Sequence, residues 1–260
     1  MLRLAGTLAA SAVLALSPVS SGSVSVAYAG SLVQTMQGPL AAALQRDTGL
    51  RFAGEPGGSK ELANLIRAGL REPDVFITAD PSLLRRLPVE DVQVLGHARL
   101  LIGYSPHSPY RKLFEQAARG RRSILSVLET AGVKIGRTDP RLDPKGSLTI
   151  RAVEMLARDE HDLGAAATIL RRAAVFPEES LFVRVETANL DAGFFYSTET
   201  SGKRLRAIEL PPNAALSHEI TYAVAIPRAA PHPRAARIFV HYIMQGRGRA
   251  ILQQAGLDTT

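Results

Sequence analysis

Short β-branched runs that stop at glycine–serine corners, each followed by an amphipathic stretch, constrain this chain more than any other feature. The run at residues 24–29 ends at Gly30-Ser31, and Leu32, Met36, Leu40 and Leu44 then recur at helical spacing. A second run at 50–55 leads into Pro56-Gly57-Gly58-Ser59, followed by a helix with Leu62, Leu65, Ile66 and Leu70 on one face. Residues 74–78 form a short apolar strand, after which Asp80-Pro81 supplies an N-cap and a proline at the first helical position. Alternation of this kind predicts an α/β architecture around a mainly parallel sheet.

The pattern then restarts. An apolar strand at 99–104 runs into Ser105-Pro106-His107-Ser108-Pro109, and helices follow near 110–118 and 123–131. A strand at 133–135, a long loop at 136–147, a helix from Leu148, helices at 163–173 and 180–189 and a strand at 192–196 complete this unit. Residues 219–226 read as a strong strand ending at Pro227, and the tail is helical over 233–245 and 247–254. The strands at 99–104 and 219–226 bracket the middle unit. They are expected to be the connections between two lobes, one made of 24–101 plus 228–260 and the other of 102–227, with hinges near 99–106 and 219–227.

Composition narrows the function. With 46% hydrophobic and 21% charged residues the 260-residue chain can bury a sizeable core, which excludes wholesale disorder. The absence of cysteine excludes disulfides, thiolate metal sites, a cysteine nucleophile and a lipid-anchoring cysteine. Few aromatics and no Trp argue against a base-stacking surface. The net charge of +7 is dispersed without a recognition motif, so no nucleic-acid partner is expected, although a positive field attracts small anions. At the N-terminus, Arg3, an apolar run at 4–16 and small or turn-forming residues at 18–23 have the three-part layout of an export signal. Residues 1–23 are assigned to it, with cleavage between 19 and 25, because the run is shorter than the ~20 residues a bilayer span needs. A periplasmic or extracellular location follows. The six histidines lack compact ligand spacing, and Gly57-Gly58-Ser59-Lys60-Glu61 lacks the final glycine of a nucleophile elbow.

The chemistry lies in the loops after strands. Gly30-Ser31 and Gly58-Ser59 each put a hydroxyl and free backbone N–H groups where a helix begins, and glycine lets a ligand come close. Two such corners at successive strand ends point to a small anion.

Five blocks stand in order along the chain: Tyr28-Ala29-Gly30-Ser31-Leu32, Gly58-Ser59, residues 73–80 (PDVFITAD), residues 136–146 (GRTDPRLDPKG) and Asp191-Ala192-Gly193-Phe194-Phe195-Tyr196. That order resembles the one seen in periplasmic molybdate/tungstate-binding proteins. The chain resembles the tungstate/molybdate branch of these ABC-transporter receptors over residues 24–257. The resemblance implies a two-lobed, type II periplasmic-binding-protein fold that holds the oxyanion in the cleft. It also implies a monomeric, non-catalytic receptor without a cofactor, delivering molybdate or tungstate to an ABC-transporter permease. Ser31 and Ser59 resemble the two serines of the first lobe, and Tyr196 the hydroxyl donor of the second. Lys145 stands where the family offers a backbone N–H, with a further amide expected near Glu179 or Ser180. Asp143 matches a carboxylate that can join the metal's coordination in that branch. Phe195 stands where that branch has a second carboxylate, so a tetrahedral anion held by neutral donors is expected, with Glu199 the nearest other acid in sequence. The alternatives are a receptor for sulfate or phosphate, an effector-sensing protein of the same fold, and an enzyme acting on a small anionic substrate.

Overall fold

The computed structural model describes residues 22–201 and 204–259. The expected export segment therefore lies, up to residue 21, outside the described residues.

Among the described residues, ten strands form two five-stranded sheets: β1 (Ser23–Ala29), β2 (Arg51–Gly57), β3 (Val75–Thr78), β4 (Val89–His97), β5 (Leu100–Tyr104), β6 (Ile135–Thr138), β7 (Ala174–Phe176), β8 (Ala192–Tyr196), β9 (Arg206–Glu209) and β10 (Thr221–Pro227). The first sheet has the order β2-β1-β3-β10-β4 and the second β7-β6-β8-β5-β9. In the first, β1 is parallel to β2 and β3, while β10 is antiparallel to β3 and β4. In the second, β6 is parallel to β7 and β8, while β5 is antiparallel to β8 and β9. Each lobe thus joins a parallel core to an antiparallel pair, and the expectation of a mainly parallel sheet is corrected to a mixed one.

The crossings are also corrected. β5 lies inside the second sheet and β10 inside the first, so neither strand is itself a connection. The chain leaves the first sheet at His97, enters the second at Leu100, leaves it at Glu209 and returns at Thr221. The edge strands β4, β7 and β9 escaped the sequence reading because they lack a buried apolar face: in β4 Glu90, Asp91 and Val92 are exposed, and β7 and β9 are short.

Strand alternation explains the layering. Val24, Val26 and Tyr28 on one face of β1 share a core with Leu40, Leu44, Phe239, Val240 and Ile243. Ala27 on the other face packs with Phe76, Leu62, Ala63 and Leu84, from the helix Ser59–Arg67 and the helical turn Pro81–Arg86. The C-terminal helices Pro233–Met244 and Gly246–Gln254 therefore return to the first lobe, and a His97–Asp258 bridge ties down the tail. In the second lobe, Phe194 and Tyr196 face the core of Ala152, Val153 and Leu156, whereas Phe195 turns to Leu101, Leu181 and Phe182. The helix expected from Leu148 begins earlier, at Pro144, and runs to Asp159 with Asp143 as its N-cap. Among the described residues no helix is long and apolar enough to cross a membrane.

Candidate functional site

Where the lobes face each other, the strand-end corners of the first meet helix starts of the second. Gly58 and Ser59 follow β2, and the Lys60 and Glu61 amides of the helix they open both donate to the Leu142 carbonyl at 3.1 Å. A Cβ on Gly58 would lie 2.4 Å from that carbonyl oxygen, so only glycine permits this approach. Ser59 is fully buried, and its Oγ accepts from the Ala79 amide at 3.1 Å. Ser31, after β1, is also buried; its Oγ is 2.7 Å from the Tyr222 hydroxyl, which lies 3.2 Å from Thr198 Oγ1.

The second lobe contributes the charges. Asp143 Oδ1 accepts from the Lys145 amide at 3.0 Å, and Asp-Pro at the start of a helix is a strong local signal for this cap. The Lys145 N–H, expected to be a ligand donor, is therefore engaged by Asp143. What Lys145 brings to the cluster is its ammonium, on a side chain with no exposure. Nζ lies 3.0 and 2.9 Å from the two Glu199 oxygens and 3.2 Å from Glu178 Oε1, over the Tyr196 ring at 5.3 Å. Glu199 also accepts from the Tyr196 amide at 2.7 Å. Glu178 opens the helix Glu178–Glu186, and its Oε2 accepts from the Gly30 amide at 2.9 Å, joining the lobes. Of the two positions expected to offer a further amide, Glu179 and Ser180, the Ser180 N–H donates to Pro177 O in its own helical turn.

Three carboxylates thus share one ammonium in a buried space. Burial, reinforced by the Glu178 charge and opposed by Lys145, pushes Asp143 up to about 8. Burial likewise pushes Glu199 up to about 7, although the Lys145 charge opposes it. For Lys145 burial acts downward, but the charges of Glu199, Glu178 and Asp143 outweigh it and its affinity for a proton rises. Burial, then the Asp143 charge, holds the Tyr196 phenol well above its usual range. Three buried oxygens of this cluster, Tyr196 Oη, Asp143 Oδ2 and Glu178 Oε1, have no hydrogen-bond partner among the described residues, Glu178 Oε1 meeting Lys145 only as an ion pair. Buried polar atoms are rarely left so, and a bound group is one way their hydrogen-bonding capacity is met; Asp143 also lines a cavity of about 250 Å³. No grouping of three or more His, Asp or Glu side chains suited to a metal ion occurs among the described residues.

Ser31, Ser59, Asp143, Lys145 and Tyr196 therefore all stand buried around the junction of the lobes. The sequence reading missed Glu178 and Tyr222, and named Glu199 only as a nearby acid. Tyr222 lies in an apolar strand and reads as core. An acidic residue in the first turn of a helix, as Glu178 is, reads as a surface residue complementing the helix dipole.

Two mixed sheets facing each other across such a junction define a two-lobed binding protein. Residues 24–258 match the family described as bacterial extracellular solute-binding protein, and the chain belongs to that family. A Haloferax volcanii protein named for ABC-transporter molybdenum binding is 32% identical over 205 residues, covering 77% of this chain and 64% of the relative. The chain thus spans a little under two thirds of that relative's length. Among solved structures, the periplasmic molybdate-binding protein of Azotobacter vinelandii superposes with a TM-score of 0.72 at 17% identity, covering 90% of this chain and 98% of that one. The sulfate-binding protein of Mycobacterium tuberculosis gives 0.65 at 13%, covering 90% and 86%. These likenesses place the fold among the two-lobed periplasmic binding proteins.

Proposed function

We propose that this chain is a non-catalytic receptor that captures molybdate or tungstate between its lobes and delivers it to the permease of an ABC importer. It works as an exported monomer in the periplasm or outside the cell and needs no cofactor. The observation that carries the proposal is the unpartnered, buried Tyr196 hydroxyl, set among the buried side chains of Ser31, Ser59, Asp143 and Lys145. The molybdenum-binding name of the Haloferax relative supports the choice of anion.

Ser31, Ser59 and Tyr196 are the hydroxyl donors. Protonated Asp143 adds an O–H, and the Lys145 ammonium supplies positive charge. Phe195 offers no carboxylate as a second ligand oxygen, so the anion stays tetrahedral. The first lobe comprises β1–β4 with β10 and the C-terminal helices, the second β5–β9, and closure brings the two donor sets together.

Calorimetric titration with molybdate, tungstate, sulfate and phosphate tests the proposal. Fixed donors discriminate oxyanions by size, so molybdate or tungstate should bind at least about tenfold more tightly than sulfate. Equal affinity for all four, or no heat with any, would overturn it.

A further inference from the structure

We propose that Glu178 is a built-in competitor for the anion: its carboxylate holds the Gly30 amide and the Lys145 ammonium, so capture is an exchange of one anion for another at those donors. The proposal rests on the cleft being an oxyanion site, and adds a residue that sets affinity there.

The geometry is that of a bound anion. One carboxylate bridges the lobes, with Oε2 2.9 Å from Gly30 N in the first and Oε1 3.2 Å from Lys145 Nζ in the second. Glu178 is only 4% exposed, so these contacts are made out of water, where charge-assisted bonds are strong. Gly30 is what admits it: a Cβ there would lie 3.1 Å from Oε2 and 3.3 Å from Glu178 Cγ.

An oxyanion reaching Ser31 and Lys145 meets this carboxylate first. Two anions on one ammonium repel strongly at low dielectric, and Glu199 already occupies the same charge through both of its oxygens. Glu199 is held in place by the Tyr196 amide as well as by Lys145. Glu178 has no such second anchor in its own lobe among the described residues, and is the carboxylate free to leave.

A way out exists. Glu178 lines a cavity of about 250 Å³ with Gly58, Glu61, Thr138, Leu142 and Asp143, between the corner of the first lobe and the helix starts of the second. Rotation into that cavity returns the carboxylate toward water while keeping it at the N-terminus of its own helix, where negative charge is favoured. The Gly30 amide and one side of the Lys145 ammonium then pass to the ligand.

The test uses the full chain and two variants, Glu178→Gln, which keeps the side-chain volume, and Glu178→Ala, which removes the bridge. Molybdate is titrated calorimetrically into each at one pH and ionic strength, and small-angle scattering is recorded without added anion. Both variants should bind molybdate at least about tenfold more tightly than the parent, since the competing charge is gone. The Glu178→Ala variant should also scatter as a more open particle. Affinity unchanged or weakened in both variants would overturn the proposal, because Glu178 would then be a bystander or a ligand-holding group. Should no form bind molybdate or any other anion of the panel, the receptor reading fails separately. Scattering then decides for Glu178: an opened Glu178→Ala particle supports the bridge, and one as compact as the parent overturns it.

Discussion

Asp143→Asn isolates one buried charge without disturbing the helix start that carries it. Asparagine caps helices as well as aspartate does, so the bond to the Lys145 amide at 3.0 Å survives the change. What disappears is the ionisation. Asp143 holds its proton up to about 8 in the folded chain, against an ordinary value of 3.8. The folded state therefore carries an extra proton across that window, and the stability this gives is complete below pH ~4 and lost as pH rises through ~8. The slope is about 1.4 kcal/mol per pH unit, so the parent loses about 3 kcal/mol through this group between pH ~5 and ~7. Glu199, raised from 4.5 to about 7, acts with the same sign over an overlapping window. Lys145 is raised above 10.5 and stays charged throughout. Against a typical total of about 5–15 kcal/mol, the combined loss is large. In anion-free urea titrations at several pH values, Asp143→Asn should be more stable than the parent at neutral pH. The fall in its stability between pH ~5 and ~7 should be about half as steep. Its affinity for molybdate should equal the parent's at neutral pH, where the asparagine N–H replaces the O–H of protonated Asp143, and exceed it above pH ~8, where the parent's carboxyl ionises beside the anion. A parent-like slope, or lower stability than the parent at neutral pH, would refute the reasoning.

Other substitutions separate folding from binding. Tyr196→Phe removes a buried hydroxyl without a partner among the described residues, so thermal unfolding should place its stability within about 1 kcal/mol of the parent, while calorimetry shows weakened anion binding. Lys145→Met leaves Glu178 and Glu199 buried without their counter-ion and should cost about 3–5 kcal/mol at neutral pH, less in acid where Glu199, already pushed up to about 7, is protonated, as read by denaturant midpoints. Ser59→Ala strips the Ala79 amide of its acceptor and should cost about 1–3 kcal/mol in stability, with a further loss of anion affinity; a neutral result in both assays would remove Ser59 from the site.

The chain's local chemistry was legible without tertiary information. Helical spacing after Gly30-Ser31 and Gly58-Ser59 gave the first parallel strands and their covering helices, because apolar periodicity reports which face a segment buries. The order of the five motif blocks pointed to Ser31, Ser59, Asp143, Lys145 and Tyr196, all of which stand buried around the junction of the lobes. The early start of the helix at Pro144 was missed, with a loop expected to residue 147, although Asp143-Pro144 carries the same cap signal as Asp80-Pro81.

Only the tertiary structure decided which atoms meet. Strand direction is invisible in an apolar run: residues 219–226 read as a connection, yet β10 pairs antiparallel between β3 and β4 because two sheet neighbours, not its own sequence, complete its hydrogen bonds. Lys145 was expected to offer its amide, but the Asp143 cap takes that N–H and packing drives the ammonium inward against Glu199 and Glu178. Glu178 carried no sequence signal at all. It sits 148 residues from Gly30, and a first-turn glutamate prefers water unless the fold brings a buried amide and an ammonium to it. Residue types and spacing determine local conformation, whereas burial and charge pairing depend on partners from distant segments and arise only once both lobes are folded.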